Sequence, residues 1–200
     1  MTSKKCWFVL LATYLLMAGC NDAAVTATAG LAKTTPASVS TAAIAAGAVG
    51  FTVGTPLSTR TVYVFFDAQC VHCGELWNAA KPLNGQAKFV WIPVGILNAA
   101  STSQGATLLA ASDPAAAMDQ HEASMMSRAG GISANNRAET QRIQVAQNTA
   151  LMTGFGFTSI PTIVATDAQT GALITKQGAL PTAALAGLLG LRVPGALARP

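Results

Sequence analysis

The sequence predicts an α/β domain with a helical insertion, and three observations lead to this fold class. Residues 61–66 (TVYVFF) and 89–94 (FVWIPV) are apolar at nearly every position, as strands covered on both faces are. Helix caps and helix-forming segments occupy the region from about 101 to 153. The predicted order is strand, helix, strand, helical insertion, strand, strand, helix. The last three elements fall at 161–165 (PTIVA), 172–175 (ALIT) and 181–190.

The N-terminus has the organisation of an export signal. Lys4 and Lys5 precede an apolar stretch that is too short for a comfortable transmembrane helix, which needs roughly 20 apolar residues. Residues 16–20 (LMAGC) resemble a bacterial lipobox, in which small residues precede an acylated cysteine. We therefore expect residues 1–19 to be a lipoprotein signal peptide and Cys20 to carry lipid. The alternative is an ordinary cleaved signal with a chance cysteine.

The segment after Cys20 is small and polar, and predicts a flexible tether over residues 20–45 that precedes a domain at 46–200. Residues 41–58 are ambiguous and are compatible with a short helix and a strand near 51–53. The domain is thus expected to be exported and held at a membrane by lipid. The outer membrane is slightly favoured, because Asn21 rather than aspartate follows the lipidated position.

Charge excludes one broad class of partner. Loss of Lys4 and Lys5 with the signal leaves 10 of the 12 basic residues against 8 acidic ones. The sequence has no basic run and no alternation of basic with aromatic residues, so nucleic acid is not an expected ligand.

Only two of the cysteines, Cys70 and Cys73, are expected to be available for chemistry in the domain. The chain has four cysteines, of which Cys6 leaves with the signal and Cys20 carries lipid. Cys70 and Cys73 remain, three residues apart, where the first strand gives way to a helix. Cys73, Leu76, Trp77 and Ala80 follow helical spacing, which predicts that Cys73 faces the core and that Cys70 is exposed at the first turn.

Helix boundaries in the insertion follow from capping residues. Ser101 or Ser103 is expected to cap a helix to about 111, and Asp113-Pro114 to start a helix to about 128. A third helix is predicted at about 134–153, with Gly154 as its C-terminal cap. Its buried face is expected to contain Ile143, Ala146, Ala150 and Leu151.

The last two strands are joined by residues 167–171 (DAQTG), which are typical of a hairpin turn. Together with the earlier elements they give the order of a thioredoxin-like fold with a helical insertion. In that fold a proline loop before the late strand faces the cysteine pair and presents backbone groups to the substrate chain. Ile160 and Pro161 occupy this place, although a proline that merely starts an edge strand is the alternative.

The Cys70-Val-His-Cys73 motif favours redox chemistry. A helix N-terminus stabilises a thiolate, and an imidazole at His72 would stabilise the Cys70 sulfur further, so Cys70 is the expected nucleophile. A zinc site needs four ligands, and besides the two cysteines only His72 and His121 remain. His72 lies within the loop of the motif and is expected to point its own way, so no metal is predicted. A structural disulfide stays open as an alternative, but so small a loop would stabilise the fold little.

Residues 65–73 (FFDAQCVHC) resemble the active-site segment of the DsbC/DsbG disulfide isomerases, and residues 94–124 are similar to the start of the DsbG helical insert. The resemblance runs from about residue 58 to the C-terminus. It implies a thiol–disulfide oxidoreductase acting on exported proteins, in which Cys70 attacks and Cys73 resolves, without a cofactor. Client proteins with cysteines and a membrane redox partner are the implied partners.

Two departures from this family pattern bear on function. DsbC and DsbG carry an N-terminal dimerisation domain, whereas residues 21–58 leave no room for one, so a monomer is expected. Ile160 stands where those proteins have threonine, and His72 matches the C-P-H-C motif of the oxidase DsbA. A reductase of client cysteines and a non-catalytic lipoprotein that binds partners therefore remain alternatives.

Residues around the motif receive simpler interpretations. Asp67 is expected to form the turn before the helix rather than to relay a proton. Trp77 is predicted to lie in the core, and His121 is predicted to be solvated on a polar helix face.

Overall fold

The computed structural model describes residues 38–193 and residue 195. These residues form five strands and six α-helices that include every element of the predicted order, and the α/β fold class is confirmed. The strands are β1 (Phe51–Gly54), β2 (Thr61–Asp67), β3 (Lys88–Val94), β4 (Thr162–Thr166) and β5 (Leu173–Gln177). The helices are α1 (Thr41–Gly47), α2 (Val71–Ala80), α3 (Ala99–Ala110), α4 (Pro114–Met126), α5 (Glu139–Gly154) and α6 (Thr182–Leu188).

The predicted signal peptide, the predicted lipid on Cys20 and most of the predicted tether lie outside the described residues. Residues 41–45, at the predicted end of the tether, belong to α1, where the Ser40 hydroxyl accepts a hydrogen bond from the Ala43 amide. In the described part of the chain, no helix combines the length and hydropathy needed to cross a membrane.

The strands form one mixed sheet in the order β1-β3-β2-β4-β5. The two predicted buried strands, β2 and β3, pair in parallel at its centre, with Val64 opposite Trp91. β4 pairs antiparallel with β2 and with β5, and β1 pairs antiparallel with β3. The carboxyl ends of β2 and β3 therefore lie at the same edge of the sheet, and the cysteine motif follows β2 there.

Both faces of the sheet are buried, which explains the continuous apolar runs in β2 and β3. Phe66 and Trp91 face α2, where they pack with Trp77 and with both cysteines. Phe65 and Ile92 face the opposite side, where they pack with residues of α1 and α5. Helix α2 is thus fixed on one face by aromatic contacts, and its N-terminus projects at the sheet edge.

The insertion contains α3, α4 and α5. A polar side chain caps the N-terminus of α3 and of α4. Asn98, rather than Ser101 or Ser103, caps α3, and Ser101 completes a capping box by accepting from the Asn98 amide at 3.1 Å. Asp113 caps α4 and Pro114 is its first residue, which confirms the predicted start. An asparagine cap was missed because serine and asparagine serve equally well at this position.

Helix α5 differs most from its prediction. It begins at Glu139, and Gly154 is its last residue rather than its cap, while Gly156 takes the positive φ of 77°. Of the predicted buried face, Leu151 is half-buried but Ile143 is 54% exposed. The buried residues are instead Val145, Asn148 and Met152. This face was not predicted because one of its buried residues, Asn148, is polar and does not contribute to apolar periodicity.

Candidate active site: a dithiol at the N-terminus of helix α2

A tight turn after β2 places Cys70 at the start of α2. The Cys70 amide donates to the Asp67 carbonyl at 3.0 Å, and the Cys73 amide donates to the Cys70 carbonyl at 2.9 Å. The buried Asp67 carboxylate accepts from the amides of Gln69, Ile96 and Leu97 at 2.8–3.0 Å. Those contacts tie the turn to the loop after β3, in agreement with the turn-forming role expected for Asp67.

Both cysteines are thiols with little access to solvent. Cys73 is fully buried, as its helical spacing predicts, and it lies in the aromatic cluster with Trp77. Cys70 is only 8% exposed, so the prediction of an exposed Cys70 is wrong. The loop before β4 lies over it, with the Ile160 carbonyl oxygen 4.0 Å from the Cys70 sulfur. Because Ile160 is distant from Cys70 in the chain, the local spacing of residues could not predict this contact.

The two thiols have opposite acidities. The Cys73 S–H donates to the Cys70 sulfur and lowers the pKa of Cys70 to about 7, against the opposing effect of burial. The backbone amides of Cys73 and His72 contribute to this lowering. Burial strongly raises the pKa of Cys73. At pH 7 about half of the Cys70 thiol is therefore ionised, beside a protonated Cys73.

His72 does not direct its ring at the Cys70 sulfur, contrary to expectation. Its side chain is 71% exposed, and Nδ1 lies 2.9 Å from the Glu75 carboxylate. This hydrogen bond raises the pKa of His72. Towards Cys70, His72 offers its backbone amide and only a minor charge attraction. The main stabilisation of the thiolate comes from Cys73 and from the helix backbone.

The proline loop meets the cysteine pair as the fold predicts. The Ile160–Pro161 peptide bond is cis, and Pro161 is buried at the start of β4. The Pro161 carbonyl accepts from the Gly178 amide at 2.8 Å, and Thr162 donates to the Ser159 carbonyl. These contacts hold Ile160 and Pro161 next to Cys70.

Helix α4 covers the side of the site away from that loop. His121, predicted to be solvated, is fully buried, with Nε2 at 2.6 Å from the Ala68 carbonyl. Its Nδ1 accepts from the Ile132 amide, so Nε2 is the protonated nitrogen and the ring is neutral. Burial lowers the pKa of His121. The spacing of Met118 and Met125 on either side of His121 was a signal that this face of α4 packs inward.

Glu122 is the site residue that the sequence reasoning missed. It is 4% exposed, and its carboxylate faces Gly74, where an added Cβ would meet Oε2 at 2.0 Å. Only a glycine after Cys73 admits this close approach. Burial, with a smaller contribution from the charge of Cys70, raises the pKa of Glu122 to about 7.

Helix α4 is also tied to α2 at a second point. The Trp77 indole donates to the Asp119 carboxylate at 2.7 Å, and Asp119 pairs with Lys81. Within residues 38–193, no group of three or more histidine, cysteine, aspartate or glutamate side chains comes together as a metal site would require.

Known proteins resemble this chain in sequence and in fold. No family model matches the chain. It is 34% identical over 139 residues to the thiol:disulfide interchange protein DsbG of Pseudomonas aeruginosa, which covers 66% of this chain and 52% of that protein. It is 32% identical over 104 residues to DsbG of Escherichia coli, covering 51% of this chain and 42% of that protein.

Over the matched residues the chain is similar to DsbG. It spans about half the length of the curated relatives that it matches. Solved structures show the same fold at low identity. A periplasmic thioredoxin-like protein from Salmonella enterica serovar Typhimurium has a TM-score of 0.57 at 16% identity and covers 76% of this chain and 97% of its own. The catalytic domain of Proteus mirabilis ScsC has a TM-score of 0.54 at 15% identity, covering 74% of this chain and 96% of its own.

Proposed function

We propose that this DsbG-like protein is a thiol:disulfide oxidoreductase of exported proteins, with Cys70 and Cys73 as its redox pair. The observation that carries the proposal is the contrast between the two neighbouring thiols. Cys70 has a pKa of about 7 and lies beneath the loop at Ile160, whereas Cys73 is fully buried and protonated. An inert structural disulfide has no need of an activated thiolate, because its stability does not depend on sulfur nucleophilicity.

The reduced site reacts with a client disulfide in two balanced steps. The Cys70 thiolate attacks one client sulfur, forming a mixed disulfide and releasing the other client sulfur as a thiolate. Cys73 then loses its proton to the released thiolate and attacks the Cys70 sulfur. The client leaves with two reduced sulfurs and the protein keeps a Cys70–Cys73 disulfide. The reverse sequence transfers that disulfide to a client dithiol.

Residues around the pair would position the client chain. The backbone of Ile160 lies beside the Cys70 sulfur, where an extended client segment would pass. His72, held by Glu75 at the outer surface, adds a positive charge near an incoming thiolate once it is protonated. The role of the proline loop is supported by the contact between Ile160 and Cys70, and that of His72 by its place in the first turn of α2 and the exposure of its ring.

The proposed location is the periplasm, with the lipid on Cys20 as the membrane anchor. The export signal and the lipobox-like residues 16–20 support this proposal. Radiolabelled palmitate should enter the wild-type protein and should not enter Cys20→Ser. Equal incorporation in both would remove the anchor. The periplasm also supplies what the cycle needs, because disulfides persist there and membrane proteins can reset the redox pair.

Trapping of mixed disulfides tests the assignment of the two cysteines. Cys73→Ala should accumulate client proteins linked to Cys70, because the resolving thiol is gone, while Cys70→Ala should accumulate none. Equilibration of the wild-type protein with a glutathione series should show a reversible two-electron transition. A protein whose thiols do not exchange with glutathione over that series would be a binding lipoprotein rather than an enzyme.

A further inference from the structure

A groove of about 230 Å³ lies between α2 and α4, directly beside the two cysteines. Val71, which follows Cys70, and Gly74, which follows Cys73, form its α2 side together with Glu75 and Asn78. Met125 and Met126 form its α4 side, with Glu122 between the two helices. We call this feature the α2–α4 groove. A client chain whose cysteine lies at Cys70 reaches the groove within a few residues.

Apart from Asn78 and Glu75, whose carboxylate is bonded to His72, the walls of the groove are apolar and accessible. Val71 is 65% exposed and Met126 is 71% exposed, an unusual exposure for side chains of this kind next to a reactive site. Methionine is flexible and polarisable, so it packs against partners of different shape. These walls suit the aliphatic part of a long side chain.

Glu122 gives the groove a negative group with no partner. The carboxylate makes no hydrogen bond or ion pair within residues 38–193: the ion pairs there join His72 to Glu75, Lys81 to Asp119, and Arg142 to Glu139. In the same residues, no fully buried side-chain oxygen lacks a hydrogen-bond partner. The unpartnered Glu122 oxygens therefore reach the space of the groove, although only 4% of the residue as a whole is exposed.

An apolar channel that ends in a carboxylate matches one kind of side chain. Lysine and arginine have a long apolar stem and a cationic head, so the stem can cover Val71 and Met126 while the head reaches Glu122. A buried carboxylate without a counter-ion is costly, and a cation that joins it recovers part of that cost. Burial raises the pKa of Glu122 to about 7, and the charge of Lys81, which makes no ion pair with Glu122, opposes this rise only in part.

We propose that the α2–α4 groove binds a lysine or arginine side chain of the client, a few residues from the reacting cysteine. The protein would then prefer cysteines in basic surroundings. This inference rests on the proposed function, since it names the class of client that the same redox pair meets. It assigns the insertion a role in substrate choice, through α4.

Peptide disulfides that differ at one position test the preference. Three peptides carry lysine, norleucine or glutamate at the same place, two to four residues from the cysteine, so that norleucine keeps the stem and removes the charge. We expect mixed-disulfide formation with wild-type protein to be about tenfold faster for lysine than for norleucine, and slowest for glutamate. Equal rates for lysine and norleucine at every spacing would overturn the proposal.

Two variants localise the effect. Glu122→Gln should reduce the lysine-to-norleucine ratio to about one, whereas Glu139→Gln, which removes the same charge on α5, should keep it at about ten. An unchanged ratio in Glu122→Gln would overturn the proposal. If Glu122→Gln does not fold, Met126→Ala decides instead. It should slow the lysine and norleucine peptides alike and leave an alanine peptide unaffected, and the absence of that slowing would count against the groove.

The glutathione titration separates this inference from the proposed function. A protein that exchanges with glutathione but treats the three peptides alike retains the proposed function and loses the groove assignment. A protein that reacts with neither glutathione nor any of the peptides loses both.

Discussion

The sheet and the helical insertion are built from different kinds of buried residue. The centre of the sheet is apolar and aromatic, with Phe65, Phe66 and Trp91 nearly or fully inaccessible. The insertion buries polar groups, none of them more than 6% exposed: Ser101, Gln104, His121, Glu122 and Asn148. Most of these side chains bind backbone groups of neighbouring loops rather than one another.

This difference implies that the sheet supplies most of the stability of the fold, while the insertion determines where α4 lies. Apolar contacts in the sheet are non-directional and scale with buried area. The polar contacts of the insertion are directional, since His121 joins Ala68 to Ile132 and Gln104 binds the carbonyls of Gly130 and Ile132. They set where α4 lies against α2, and hence the shape of the α2–α4 groove. We expect mutations in the two regions to differ accordingly.

The largest loss of stability should follow removal of an aromatic side chain from the sheet. Phe66 is fully buried and packs edge-on against Phe51 and Trp91. Phe66→Ala should lower the free energy of unfolding by about 3–5 kcal/mol, through lost burial and a cavity. Denaturant unfolding measures it, with Leu57→Ala at a 94% exposed position as the control. A loss below about 1 kcal/mol would mean that the sheet core is not the main source of stability.

Asn148 tests the polar contacts of the insertion. Its side chain accepts from the Val49 amide and donates to the carbonyls of Val49 and Pro93, at 2.7–3.0 Å. Asn148→Ala leaves these backbone groups unsatisfied and should cost about 2–4 kcal/mol. Gln147→Ala, on the exposed face of the same helix, should change stability by less than about 0.5 kcal/mol. Equal effects of the two substitutions would contradict a directional role for Asn148.

Glu122 should make stability depend on pH. The pKa of Glu122 is raised from 4.5 to about 7 in the folded protein, so the native state holds a proton that the unfolded chain releases between these values. Its contribution is present below about pH 4.5 and is lost as pH rises towards 7. Relative to Glu122→Gln, the wild-type protein should lose about 1–3 kcal/mol across this range. Parallel stability curves for the two proteins would show that the carboxylate is not desolvated.

The smallest expected effect concerns His72. Alkylation of Cys70 by iodoacetamide should follow thiolate formation, with a midpoint at about pH 7. The first causes of this lowered pKa are the Cys73 hydrogen bond and the helix backbone, which His72→Ala leaves in place. The midpoint should therefore rise by less than about one pH unit. A larger rise would mean that the His72 ring reaches the Cys70 sulfur in solution. Glu75→Gln serves as the comparison, because it releases the ring from its hydrogen bond and keeps the imidazole.

Sequence reasoning predicted the elements whose signals are local. The apolar runs of β2 and β3, the cap at Asp113 and the hairpin turn at residues 167–171 all appear in the structure. It failed where burial depends on a polar side chain. Asn148 and His121 were assigned to no packed face, because hydrophobic periodicity counts only apolar residues. Of the site, it predicted the buried Cys73 and the proline loop but not Glu122.

The sequence by itself determined the α/β order, the place of Cys70 at a helix start and the inward orientation of Cys73. Each follows from residues within a few positions of one another, where backbone geometry fixes what faces the same way. The tertiary structure decided the burial of Cys70 beneath Ile160, the pairing of His72 with Glu75 rather than Cys70, and the approach of Glu122 to Gly74. Except for the His72 rotamer, these depend on segments far apart in the chain, and no local pattern encodes how closely such segments approach.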